Sequence, residues 1–430
     1  MFAAIANCFT RRAEALSAVL GAILTAPGPV DCVAHLSLTT PGYTHSGLYA
    51  ALANGQIDPD AVAALAARVG NTDPLYVDVY SIDATSWLRP SAHTVDGLGR
   101  AFDAVGAKKG EPTQPGWSYQ VIVRQCHAGG SWTLPYGAVR VSHDDDHSVV
   151  AATQIGQVAR LHRGARPLFV ADSGYSAHYL RWLLDQDEVG ADLLIRLRSG
   201  RVFREAAPDT LHGKRHGPKF HLNAPPRPPD ATVTFVSERY GQVTVDAYHG
   251  LHPELSNHHA GMTVIDGNPI FTTTLLHVSA TGRLGQAGWW LWFDGEPEGA
   301  DLEFLFWCYA HRFDIEHLFR FAKQTLGLTS ARPGTAAGAD VWVRIVLCAY
   351  LLLAACRRVL GAVRLPWEAA RRWWLHTPGQ VRRAASLSLA RIVAGLGSGA
   401  VKNRPPGRAR GAVTGPRRRH PVHVKRPKPG

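Results

Sequence analysis

The chain has 430 residues, 46% of them apolar, which is ordinary for a folded globular protein and enough for a sizeable core in two or three domains. Its net charge of +12 and pI near 9.6 favour a polyanionic partner, nucleic acid or an acidic membrane surface. Six scattered cysteines, none in a C-x2-C pair, exclude a zinc knuckle or a disulfide framework and suit a reducing cytoplasm.

Residues 1–26 read as helical, ending at Pro27-Gly28-Pro29. Arg11-Arg12 followed by an apolar run loosely imitates a signal peptide. Glu14 interrupts that run and no clean cleavage site follows, so a cytoplasmic location is expected. Residues 47–54 and 59–69 suggest two short helices, the second opening at Asp58-Pro59 as N-cap and first helical position. Residues 1–70 thus form an N-terminal helical domain.

Residues 71–200 change period. Residues 75–84 (LYVDVYSIDA) are β-branched and aromatic, and Asp83 shares a strand face with Val77 and Val79, while Asp78 falls on the opposite face. Strands are expected at 117–125 and 131–141, a helix at 149–162, a short apolar strand at 168–171 ending in Asp172-Ser173-Gly174, a helix at 176–187 and a strand at 193–198. This succession indicates an α/β layer with ligands at the carboxyl ends of strands. The run His143-Asp144-Asp145-Asp146-His147 reads as a solvated acidic loop, and Asp172 before Ser-Gly also suits a turn.

Residues 201–299 are dense in Pro and His, with short strands such as 232–237 and 242–247, and read as a β-rich insertion; His258-His259 reads as a loop pair. Residues 300–395 are helical. The stretch 302–328 has no Pro and no Gly before Gly327, so it reads as one long helix. On a continuous helix Tyr309, Arg312, Glu316 and Lys323 fall within an arc of about 60°. The apolar run 346–356 is too short to cross a bilayer and reads as a buried helix. Residues 396–430 form a basic tail, expected to be disordered until bound; ten Lys/Arg and no acid in 401–430 hold +10 of the net charge.

The spacing Tyr309-x2-Arg312-x3-Glu316-x6-Lys323 resembles the Y-R-E-K signature of bacterial insertion-sequence DDE transposases. Asp83-Ala-Thr-x-Trp87, Gly116-Trp117-x-Tyr119-Gln120 and Ala171-Asp172-Ser-Gly-Tyr175 resemble that family's upstream motifs in order. The resemblance implies an RNase H-like mixed sheet flanked by helices, interrupted by a β insertion. It implies that Asp83, Asp172 and Glu316 hold catalytic Mg²⁺, with Mn²⁺ as a substitute, and that Tyr309, Arg312 and Lys323 contact DNA phosphates. In that branch an insertion tryptophan stacks on a displaced base, which makes Trp289, Trp290 and Trp292 candidates, Trp290 foremost; the arginines Arg417, Arg418 and Arg419 would bind DNA through the tail. The implied activity is cleavage and strand transfer on double-stranded DNA, element ends and target, by a homodimer assembled on DNA, with no membrane partner. The alternatives are a catalytically inactive or domesticated DNA-binding relative, or another RNase H-like nuclease without strand transfer. Three hard carboxylates beside Arg and Lys suit metal-assisted phosphate chemistry, and without a G-x4-G-K-[ST] stretch ATP use has no support.

Overall fold

A computed structural model describes every residue except 41, 128–129, 131, 163, 199, 206–217, 254–271, 283–287, 395–414 and 424–430. Most of the basic tail and the His258-His259 pair therefore lie outside the described residues. The described chain divides into two compact units. Unit one comprises residues 1–77, 84–146 and 314–430; unit two comprises 78–83 and 147–313.

In unit one the first 77 residues share a core with the C-terminal helices instead of standing as a domain of their own. The helix Ala13–Thr25 buries Leu16, Val19, Leu20, Ile23 and Leu24, an apolar surface too broad for its short neighbours to cover. It packs on the helices Ala336–Leu360 and Pro378–Ala394. Buried Arg382 closes its C-terminus, donating to the carbonyls of Ile23, Ala26 and Gly28 at 3.2, 3.2 and 2.7 Å. Carbonyls at a helix end lack intrahelical donors, and a cation there also meets the negative end of the helix dipole. The helix Ala336–Leu360 has the length and composition to cross a membrane, yet 78% of its apolar window is buried within the protein. It is a core helix, longer than the apolar run suggests.

The helix Pro59–Thr72 begins as its sequence dictates, with Asp58 Oδ1 accepting the amides of Asp60 and Ala61 at 3.0 and 3.1 Å. Strands β1 (Phe9–Arg11) and β2 (Gln56–Ile57) form a small antiparallel ladder. Unit one also takes the two ends of β3 (Tyr76–Leu88), together with β4 (Gly99–Phe102), β5 (Thr113–Cys126) and β6 (Thr133–Val141). β4 and β6 pair antiparallel with successive stretches of β5. The turn after the helix Asp314–Gln324 reaches Gly327, whose φ of +76° and close approach to the Val30 carbonyl leave no room for a side chain.

Unit two takes the middle of β3 and joins it in parallel to β7 (Leu168–Ala171), and β7 in parallel to β8 (Asp192–Arg196). The helices His147–Ala159 and Ala177–Gln186 provide the crossovers that parallel strands require. The remaining strands are β9 (Val202–Glu205), β10 (Lys219–His221), β11 (Ala231–Ser237), β12 (Gly241–Pro253), β13 (Thr273–Ala280) and β14 (Trp289–Phe293). They extend the sheet in the order β8-β14-β13-β12-β9-β10, with β11 on β12, every pairing antiparallel. The β-rich insertion therefore lengthens the same sheet, producing a mixed α/β architecture.

The long helix expected over 302–328 is two, Ala300–His311 and Asp314–Gln324. The Arg312 amide bonds back three residues to the Tyr309 carbonyl at 3.1 Å, and the buried Arg312 side chain reaches Asp83. With no Pro or Gly at the break, it is this tertiary attachment that accompanies the loss of helical continuity.

Candidate active site

The register of three parallel strands builds the site. Ile82 on β3 lies opposite Ala171 on β7, and Ala171 lies opposite Ile195 on β8. The next residue on each strand is Asp83, Asp172 and Arg196. Adjacent strands lie roughly 5 Å apart, so two carboxylates and a guanidinium stand in a row across the three strands, where β7 ends and β3 runs on. The run behind them is apolar: Val79, Ile82, Val170, Ala171 and Leu194 are buried, which fixes the side-chain alternation and with it the register.

Two neighbouring carboxylates need a counter-charge, because a buried unpaired charge is costly. Arg312 supplies it, donating from Nη1 to Asp83 Oδ2 at 3.1 Å; the guanidinium side chain is 5% exposed and that of Asp83 20%. Its plane lies over Phe313 at 4.6 Å and over Tyr309 at 5.8 Å, so the aromatic rings fix the guanidinium as well as screening it from water.

Asp172 is held differently. Its Oδ1 accepts the Gly174 amide at 2.8 Å, the turn that Asp-Ser-Gly favours. A Cβ on Gly174 would fall 2.9 Å from that oxygen, so a side chain there would displace the Asp172 carboxylate. The turn delivers Tyr175 to the same place. Burial pushes the Tyr175 phenol well above its usual pKa, the charges of Asp83 and Asp172 push the same way, and Arg312 opposes them. Tyr175 is thus a neutral hydroxyl facing two carboxylates and a guanidinium.

The residues singled out in the sequence do not share one exposed face. Tyr309 is fully buried, edge-on to Trp289 at 5.1 Å; burial raises its pKa, against Arg312 and Arg196. Arg312 serves Asp83. Trp290 stacks on His277 at 4.6 Å and packs on Tyr248 and Phe220, while Trp289 and Trp292 are buried as well. Tyr309, Arg312 and Trp290 are thus all buried, packed on the aromatic side of the insertion sheet and, for Arg312, against Asp83. Arg196 carried no signal in the sequence beyond the alternation Arg196-x-Arg198; on β8 it stands beside Asp172, and Arg198 Nε donates to the Ser173 carbonyl at 3.2 Å.

In unit one, Glu316 is exposed in the first turn of Asp314–Gln324, and Lys323 is half-buried in its last turn. Burial lowers the Lys323 pKa, and among the described residues no carboxylate lies within 4 Å of it. Arg417, Arg418 and Arg419 are exposed. They are tethered on their C-terminal side: the His420 and His423 amides donate to the carbonyls of His93 and Leu98 at 2.9 and 2.8 Å, and His420 meets Asp96 at 3.2 Å. Asp78 is half-exposed beside His162, as its strand face implies, and Asp145 caps its own loop by accepting the Ser142 amide. Among the described residues, the group of three His, Cys, Asp or Glu side chains whose donor atoms all fall within 4.8 Å is exposed Asp31 and His35 with half-buried Cys32, in unit one.

A family model described as DDE superfamily endonuclease matches residues 4–254, more than half of the chain. The chain belongs to this family. The match takes in Asp83 and Asp172 and ends before Glu316. DDE superfamily endonucleases use divalent metal ions, and the neighbouring carboxylates of Asp83, within β3, and Asp172, just after β7, are hard oxygen donors of the type such ions take. A search of curated proteins finds no relative. Among solved structures, the chain resembles a piggyBac transposase synaptic complex with hairpin DNA, solved by cryo-electron microscopy. The two are 10% identical with a TM-score of 0.42 over 93% of this chain and 78% of that one.

Proposed function

We propose that this DDE superfamily endonuclease is the transposase of a bacterial insertion sequence, binding the element ends and cutting and joining DNA. The observation that carries the reading is the placement of Asp83, within β3, beside Asp172, which follows the end of the parallel strand β7, with Arg312 buried against Asp83. Asp83 and Asp172, with Glu316 as the third acid, would hold Mg²⁺ or Mn²⁺. Bound there, such ions supply activation of an attacking hydroxyl and charge stabilisation of the leaving oxygen in an in-line phosphoryl displacement.

The chain's own groups do the rest. Arg312, donating to Asp83 Oδ2, pairs with that carboxylate and holds its orientation. The Gly174 amide fixes the Asp172 rotamer. Tyr175, held neutral, offers a donor without adding charge. Lys323, without a carboxylate partner among the described residues and partly desolvated, suits a phosphate of the bound end. DNA would be double-stranded, with two copies assembled on paired ends in the cytoplasm at the nucleoid.

The test is cleavage of end-bearing duplex in Mg²⁺ by Asp83→Asn, Asp172→Asn and Glu316→Gln. Each variant should lose cutting and joining while retaining end binding. Cutting that persists in any one of them removes that residue from the metal set, and a parent chain that binds ends without cutting them defeats the enzymatic reading.

A further inference from the structure

The segment Gly361–Thr377, which joins the helix Ala336–Leu360 to Pro378–Ala394 in unit one, takes no part in the site above. Its sole acid, Glu368, is spent internally. The Glu368 carboxylate accepts the Leu365 amide at 2.8 Å, the Gln380 amide group at 3.3 Å and the Arg383 guanidinium. Those bonds, the Leu365 amide first, hold it below the usual carboxylate pKa. Arg383 also donates to the Val363 carbonyl at 3.0 Å, so the segment is pinned to the start of the last helix.

What faces outward is cationic and aromatic. Arg358, Arg364, Arg371 and Arg372 are exposed, and among the described residues no carboxylate lies within 4 Å of any of them. Trp367 is 78% exposed. Trp373 and Trp374 meet edge-on at 5.7 Å, with Arg358 over one ring at 5.4 Å and Arg372 over the other at 5.2 Å. A tryptophan left in water on a pinned segment, among arginines without acids, matches the alternation of base and phosphate in a nucleic-acid strand.

We infer that Gly361–Thr377 is a contact surface for unpaired or distorted DNA, with Trp367 stacking on a base and Arg371 and Arg372 neutralising phosphates. The inference rests on DNA being the partner of this chain.

The experiment measures fluorescence anisotropy of the full chain with a labelled single strand and a labelled random duplex across a salt series. Trp367→Ala should weaken single-strand binding about tenfold, with a smaller effect on duplex, and Trp367→Phe should retain most of the affinity. Arg371→Ala with Arg372→Ala should flatten the single-strand salt slope by about 1.4. All three substitutions are at exposed positions, and thermal midpoints matching the parent confirm the fold. A parent chain that binds DNA while these variants bind both probes unchanged overturns this inference alone; a parent that binds no DNA overturns the DNA reading with it. Loss of binding to phosphatidylserine vesicles in Trp367→Ala, with DNA affinity intact, overturns it in favour of a membrane surface.

Discussion

Replacing Arg312 by Met separates the two roles open to this residue. The Met side chain retains aliphatic contact with Phe313 and Tyr309 while removing the charge 3.1 Å from Asp83. At an effective dielectric near 20, unit charges at that distance attract by about 5 kcal/mol. Part of that is offset by the cost of desolvating the pair, and Asp83 keeps a fifth of its side chain in solvent. Truncating one partner of a buried pair costs roughly 3–5 kcal/mol, and the partial exposure places this one at about 3 kcal/mol. Chemical denaturation of the parent, Arg312→Met, Asp83→Asn and the double variant gives the cycle, with an expected coupling of about 2 kcal/mol. Mg²⁺ should then raise the thermal midpoint of Arg312→Met more than that of the parent, because a cation bound at Asp83 replaces the charge removed. A variant within about 0.5 kcal/mol of the parent that nonetheless loses DNA affinity would refute the positioning role, since that is the behaviour of a surface residue.

Other expectations follow from the same geometry. Burial lowers the Lys323 pKa, so DNA affinity should fall at a lower alkaline pH in the parent than in Lys323→Arg, whose charge persists. Between that lowered value and the ordinary lysine pKa the unfolded chain binds the extra proton, so the Lys323 contribution to stability should rise with pH across that window and be absent in Lys323→Met. Gly174→Ala puts a Cβ 2.9 Å from Asp172 Oδ1; it should cost about 1 kcal/mol through the lost turn hydrogen bond and reduce cleavage far more than end binding. Deleting residues 401–430, which carry ten Lys/Arg and no acid, should weaken binding to end-bearing and random duplex by similar factors, less so at high salt. Loss of end binding alone would show that the tail reads sequence.

The sequence by itself determined the elements whose information is local. Alternation fixed the strand through Asp83, a short apolar run fixed the strand before Asp172, Asp58-Pro59 fixed the start of its helix, and Asp172-Ser-Gly fixed a turn. The order of acidic positions and the β-rich character of 201–299 were legible for the same reason: composition and period act over a few residues. The tertiary structure decided the rest. Which strands are neighbours, and in what register, depends on packing between distant segments; only that register sets Asp83 and Asp172 beside each other and adds Arg196. Helical arithmetic placed Tyr309 and Arg312 on one face with Glu316 and Lys323, but Asp83 and the aromatic core hold both inward, and the helix divides beside them. The same holds for the first 77 residues, whose apolar helix finds its cover in segments more than 300 residues away. A residue's period is written in its near neighbours, whereas its burial is set by whatever the fold brings against it.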